Sequence, residues 1–181
     1  TEDDVQEMGP FLKFTPPVHS EENRKGLLDL IKKGYVNTIG SDHSPYAEYE
    51  KIPGLGCIWD APNGIPGLEV LLPSLLNLVN ENVLTLESVV RMTSETPAAL
   101  YQLPGKGRLE PGYDADLVIV DMEKTFIYEK EMIQSKNKWT PYLNRTFKGC
   151  PVLTMVRGEV VAEDFHLTGT KGFGKLIQRK K

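Results

Sequence analysis

A carboxylate and an imidazole stand side by side at Asp42-His43, inside the run Tyr35-Val36-Asn37-Thr38-Ile39-Gly40-Ser41-Asp42-His43-Ser44-Pro45-Tyr46. Val36, Thr38 and Ile39 are β-branched, so residues 35–40 read as a short strand that ends abruptly in a polar turn. An acid just past the C-terminal end of a buried strand is where α/β barrels keep their chemistry. Asp42 is therefore the leading catalytic candidate; the competing reading is that it caps the turn, because Asp and Ser bond their own backbone in such places. Along a strand, neighbouring side chains point to opposite sides. His43 accordingly fits packing or orienting a neighbour better than sharing a centre with Asp42.

The other chemistry-bearing residues are scattered. A metal needs three or four converging ligands, and no two of His19, His43 and His166 have His-x-His or His-x3-His spacing. The chain does not read as a self-contained metal centre. Thr15 and Asn63 lie in loops that could face Asp42, although Asn63 precedes Gly64, a pair that commonly marks a turn. Residues 105–112 are glycine-rich but lack the spacing and the Lys-Ser/Thr pair of a phosphate loop, and they follow a helix; they read as a turn linker.

The elements that must position these groups follow from pattern. Phe11-Leu12-Lys13-Phe14 is a strand candidate stopped by Thr15-Pro16-Pro17. Ser20 caps a helix with acids in its first turn, an apolar stripe of Leu27, Leu28, Leu30 and Ile31, and a stop at Gly34. With residues 35–40 this makes a βαβ unit whose two polar loops share one end of a parallel sheet. Residues 47–67 read as loop, and a loop of that length is usually functional. Leu68–Asn80 reads as a buried helix with Pro73 in its first turn or kinking it, and Thr85 opens another carrying Val89, Val90 and Met92. A short one follows around Pro97. After Pro104 the pattern is β-rich: strands at 116–121, 125–128, 152–156 and 159–161, with Arg157-Gly158 as a tight hairpin. That part reads as a small sandwich, followed by an exposed arm with a basic end.

With 181 residues, 40% hydrophobic and 25% charged, the chain has the composition of a globular domain. A net charge of −4 offers no basic field for nucleic acid, and no apolar run approaches the ~18 residues of a membrane span. The opening Thr1-Glu2-Asp3-Asp4 is acidic and is not a signal peptide. Cys57 and Cys150 are isolated thiols and point to a reducing, cytoplasmic setting.

Several segments together resemble the cyclic amidohydrolases: hydantoinases (dihydropyrimidinases), allantoinases and dihydroorotases. Thr15-Pro16-Pro17, Gly34-Tyr35 and Ser41-Asp42-His43-Ser44-Pro45 resemble the seventh and eighth strand ends of their barrel. Pro62-Asn63-Gly64-Ile65-Pro66-Gly67-Leu68-Glu69 resembles their substrate loop. Lys106-Gly107 and Pro111-Gly112-Tyr113-Asp114-Ala115-Asp116-Leu117-Val118 resemble the return into their β-sandwich, and Val156-Arg157-Gly158-Glu159-Val160-Val161 resembles its last strands. The order is the family's, over nearly the whole chain.

The resemblance implies an α/β fold, the C-terminal part of a TIM-type (β/α)8 barrel followed by a small β-sandwich. The last barrel units would fill residues 1–103, the sandwich 104–168 and a C-terminal arm 169–181. It implies a hydrolase that opens a cyclic amide with two divalent metal ions, zinc by family habit. Asp42 would be both a metal ligand and the proton shuttle, with Thr15 and Asn63 binding the ring. The remaining ligands, and the rest of the barrel as a partner, would come from upstream of Thr1, so the isolated chain is expected to be inactive. A homo-oligomer is implied; nucleic acid and membrane are not. Dihydroorotases resemble Asn-Pro-Pro-Leu-Arg at the first motif and place a His four residues after the Asp. Here Thr15 and Tyr46 hold those positions, which favours a hydantoin or dihydropyrimidine ring. Allantoin, itself a hydantoin, stays open because Ser41-Asp42-His43-Ser44-Pro45 and Thr140-Pro141-Tyr142 resemble allantoinases, while Gly169-Thr170-Lys171-Gly172-Phe173-Gly174-Lys175 resembles hydantoinases. Dihydroorotase and a non-catalytic scaffold of the same family are the alternatives.

Overall fold

In the computed structural model, which describes residues 1–178, the chain is an α/β protein that divides into two units. Unit 1 comprises Thr1–Tyr35, Gly40–Leu71 and Ile127–Thr146; unit 2 comprises Val36–Ile39, Leu72–Phe126 and the chain from Phe147. The end of the basic arm, Arg179-Lys180-Lys181, lies outside the described residues.

In unit 1, helix α1 (Glu2–Met8) leads into a 3-10 turn at Gly9–Leu12. The expected strand over residues 11–14 is thus replaced at its start by helical turn, because Pro10 sits at the start of the 3-10 segment and no strand among the described residues pairs with it. Helix α2 (Glu21–Lys32) begins as the sequence predicts: the Ser20 hydroxyl accepts from the Asn23 N–H, and Gly34 follows its end with φ +79°. Its apolar stripe is only half covered, with Leu27 and Leu30 exposed. Residues 36–39 are extended but form no ladder among the described residues; Ile39 N–H donates to the Met92 carbonyl within unit 2. A strand needs a partner to pair with, and β-branching alone does not supply one. The one parallel pairing among the described residues is a bridge between His43 and Ile65.

Helix α4 (Leu68–Asn80) starts in unit 1 and carries Pro73 early in its length. Glu69 in its first turn accepts four hydrogen bonds: from the Tyr128 hydroxyl at 2.9 Å, the Gln134 and Ser135 N–H groups at 2.9 Å each, and the Ser135 hydroxyl. One carboxylate thereby fastens residues 128–135 to the helix. Burial alone would raise Glu69, but the bonds from Ser135, Gln134 and Tyr128 outweigh it and hold the carboxyl below its ordinary 4.5. Burial, and then the hydrogen bond to Glu69, push the Tyr128 phenol up.

Unit 2 is built on apolar packing. Leu75, Leu76, Leu84, Val89, Met92, Ala98, Phe147 and Cys150 are buried. Helix α5 (Leu86–Val90), capped by Thr85, continues through a π-helical turn at Arg91–Glu95 into α6 (Thr96–Leu100). Two separate helices were expected here; the run is continuous because the widened turn absorbs the missing Pro97 N–H. Strand β1 (Leu117–Ile127) is a single 11-residue strand where two were expected. It neighbours β2 (Thr146–Val156), which pairs antiparallel with β3 (Glu159–Glu163) through the Arg157-Gly158 turn, both at positive φ as a tight hairpin requires. Strand β4 (His166–Leu167) completes the four-stranded sheet. Gly149 sits against α4 so closely that a Cβ would come within 2.7 Å of the Leu76 Cβ. Residues 169–178 are exposed except at Phe173, whose ring and carbonyl are held by the Arg157 guanidinium.

Asn80 Nδ2 donates to the carbonyls of Leu76, Met122 and Lys148 at 3.1–3.3 Å, tying α4 to β1 and β2. Asn80→Ala is expected to cost the intact protein about 1–3 kcal/mol, read as a lower urea midpoint at unchanged slope. Glu69→Gln is expected to cost about 1.5–3 kcal/mol at neutral pH. Because the folded carboxyl titrates below 4.5, its contribution is fully present well above that value and is lost as pH falls through the lower folded value. Denaturation from pH 7 to pH 3 should show the gap between wild type and variant constant down to about pH 5 and closing below it.

Candidate functional site

The turn that carries Asp42 is fixed from both sides. Ser44 N–H donates to the Ile65 carbonyl at 3.1 Å, and His43 pairs in parallel with Ile65. The His43 Nδ1 accepts from the N–H groups of Gly67 at 3.2 Å and Leu68 at 3.1 Å. Those donors are free because a helix start has no carbonyls to receive them. His43 thus caps the start of α4 through Nδ1. Gly64 must be glycine: a Cβ there would meet the Ser44 side chain at 2.8 Å and overlap its carbonyl. Farther along, the Tyr46 carbonyl accepts from the Trp139 indole at 2.7 Å, and Trp139 packs edge-on against Phe11 with ring centres 5.2 Å apart.

Asp42 itself has φ +45°, a left-handed conformation that Asp tolerates, and its side chain is exposed. Among the described residues no hydrogen bond or ion pair engages its carboxylate, so it caps nothing, and it is a hard oxygen donor open to a cation. No group of three or more His, Cys, Asp or Glu that could hold a metal occurs among the described residues.

Residues 47–67, expected as loop throughout, contain one turn of helix, α3 (Glu48–Lys51), and 3-10 turns at Ile52–Leu55 and Ile58–Asp60. Glu50 caps α3 by accepting from the Ala47 N–H at 2.7 Å. Lys51, the last residue of α3, points inward and is fully buried. Its ammonium donates to the Lys13 carbonyl at 3.0 Å and to the Pro62 carbonyl at 2.8 Å. Lys13 in turn donates from Nζ to the Ala61 carbonyl at 2.6 Å, and its own carbonyl accepts the Gly64 N–H at 3.0 Å. Burial, and then the charge of Lys13, push the Lys51 ammonium down to about 8.

Thr15, Asp42 and Asn63 are each exposed, and none bonds another. Their segments are nevertheless stitched together: 13 to 61–64 by the two lysines and Gly64, and 43–44 to 65 by backbone bonds. The three residues line none of the described hollows; one of about 420 Å³ is bounded by their neighbours Phe14 and Ile65, with Arg145 and Tyr142. Lys13 and Lys51 escaped the sequence reading because a lysine beside acids, as in Glu48-Tyr49-Glu50-Lys51, has the appearance of a solvated helix face. Lys13 between Leu12 and Phe14 was the one available signal.

Residues 15–161 match the amidohydrolase family. An L-hydantoinase of Paenarthrobacter aurescens is 40% identical over 182 residues, which is 99% of this chain and 40% of that protein. A dihydroorotase of Methanosarcina mazei is 36% identical over 181 residues, 98% of this chain and 38% of its own length. Among solved structures, the L-hydantoinase (dihydropyrimidinase) from Arthrobacter aurescens superposes with a TM-score of 0.95 at 40% identity, over 99% of this chain and 40% of that one. A D-hydantoinase superposes at 0.93 with 28% identity, over 100% of this chain and 41% of that one. The chain spans about 40% of the length of the curated relatives it matches. With its family match, its relatives and its fold in agreement, the chain belongs to the amidohydrolase family.

Proposed function

We propose that this chain is the C-terminal part of a metal-dependent hydrolase that opens a cyclic amide of the hydantoin or dihydropyrimidine type. The supporting observation is the uncommitted Asp42 carboxylate, held on an exposed turn whose neighbours are pinned to the Asn63 loop and through it to the Thr15 segment. In this reading residues 1–103 are the last barrel units, 104–168 belong to the β-sandwich, and 169–181 form an arm. The half-covered stripe of α2 and the unpaired residues 36–39 fit a chain that packs against the rest of a barrel. That remainder would supply the other metal ligands, in a cytoplasmic homo-oligomer.

Asp42 would hold one of two divalent ions, with zinc the expected metal. When bound, such ions supply Lewis-acid polarisation of the ring carbonyl and an acidified water. Asp42 takes the proton released as the water oxygen bonds to the carbonyl carbon, and delivers it to the ring nitrogen as the C–N bond breaks. An amide nitrogen leaves poorly unless protonated, so this transfer is required. The Thr15 hydroxyl and the Asn63 backbone hydrogen-bond the imide edge of the ring and hold its carbonyl toward Asp42.

A hydantoin-type ring is favoured over dihydroorotate by Thr15 and by Tyr46, which offers no cation for a ring carboxylate. The dihydroorotase relatives keep that substrate in the test. The full-length protein is expected to contain about two metal ions per chain and to hydrolyse one of dihydrouracil, allantoin or dihydroorotate, by elemental analysis and ring-opening assay. Absence of both metal and turnover would replace this reading with the scaffold one. Asp42→Asn should lower turnover by about 10²-fold or more while leaving the melting temperature within a degree or two (~0.5 kcal/mol), since no bond among the described residues uses the carboxylate. A variant retaining full turnover would remove Asp42 from the mechanism.

A further inference from the structure

The most unusual group outside the Asp42 turn is the Lys51 ammonium. A lysine at a helix end ordinarily runs its stem along the surface and leaves its charge in water; Lys51 is 0% exposed. Burying an ammonium is costly, and an opposite charge is the common compensation. Lys51 forms no ion pair among the described residues, and the charge that bears on it is the like charge of Lys13. What it has instead is two neutral carbonyls, one from each of two segments distant in sequence, Lys13 and Pro62.

Those two segments carry the two groups assigned to the ring. Thr15 lies two residues past Lys13, and Asn63 is the residue after Pro62. The Asn63 flanks are fastened on both sides: Ala61 by Lys13 Nζ, Pro62 by Lys51 Nζ, and Gly64 by the Lys13 carbonyl. The backbone N–H and carbonyl of Asn63 itself take no part in these bonds, and the residue is exposed. A clamp that engages every neighbour and spares the one residue between them holds a backbone group in place while leaving it open to a ligand. An apolar side chain at 51 would fill the space but could not join two carbonyls; an ammonium, with three donors on one atom, can.

We propose that Lys51 is a positioning residue for substrate: its ammonium ties the Thr15 segment to the Asn63 loop and so sets the span across which the ring is gripped. The proposal rests on the cyclic-amide reading for the identity of the ligand, and on the observed bonds for the clamp.

The test uses Lys51→Met in the full-length protein, with two readouts. In steady-state hydrolysis of the best ring substrate, KM is expected to rise on the order of tenfold with kcat within about twofold, the pattern of lost ground-state grip. In hydrogen–deuterium exchange without substrate, amides of residues 13–15 and 61–64 are expected to exchange faster while those of α4 and β2 stay protected. Lys51→Gln, which keeps two donors on a shorter, uncharged stem, should fall between wild type and Met, and it carries both readouts if the Met variant does not fold. A fall in kcat at unchanged KM, or exchange unaltered at 13–15 and 61–64, overturns the proposal. A wild-type protein that turns over no cyclic amide overturns the hydrolase reading instead, and the exchange experiment then decides the clamp by itself.

Discussion

Irregular backbone that leaves water must find partners for its carbonyls and N–H groups, and in unit 1 several of those partners are side chains. Lys51 serves Lys13 and Pro62, Lys13 serves Ala61, Trp139 serves Tyr46, and Glu69 and His43 serve the N–H groups of residues 134–135 and 67–68. Each of these long or ring-bearing groups reaches a segment that no strand ladder reaches. The turn bearing Asp42, the Asn63 loop and the start of α4 have fixed relative places because of them.

The two units therefore cohere by different physics. Unit 2 is a helix-and-sheet packing of Leu, Val, Met and Phe, where burial of apolar surface is the main stabilising term. Unit 1 has a thinner apolar centre, with Ala61, Ile65, Val70, Tyr128 and Ile133, and relies on directed bonds. Directed bonds lose most of their worth when bent or stretched, while apolar contact is forgiving. A region whose task is to place a few polar groups accurately gains from the first kind.

Much of this was legible in the sequence. Ser20 and Thr85 announced their helices because a hydroxyl before an acidic or apolar run has a local partner in the first turn. The Arg157-Gly158 hairpin was legible for the same reason: its conformation is decided by two residues. Residues 35–40 and 11–14 misled because strand structure depends on a neighbour, and β-branching says nothing about whether one is in reach. The family was readable from motif order, which integrates over the whole chain. The lysine clamp was not, since two of its bonds join residues 38 and 48 positions apart and its donors are of a type expected on the surface.

Those sequence separations bear on the order of events when the chain folds. The bond from Lys51 closes 38 residues to Lys13, that from Lys13 closes 48 to Ala61, and that from Trp139 closes 93 to Tyr46. Contacts of long separation form after local ones, because the entropy of the intervening chain must be spent first. Helices and hairpins of unit 2 can assemble from near neighbours; the loops around Asp42 cannot be fixed until distant parts of the chain have arrived. The accuracy of the region proposed to meet substrate thus depends on chain far from it in sequence.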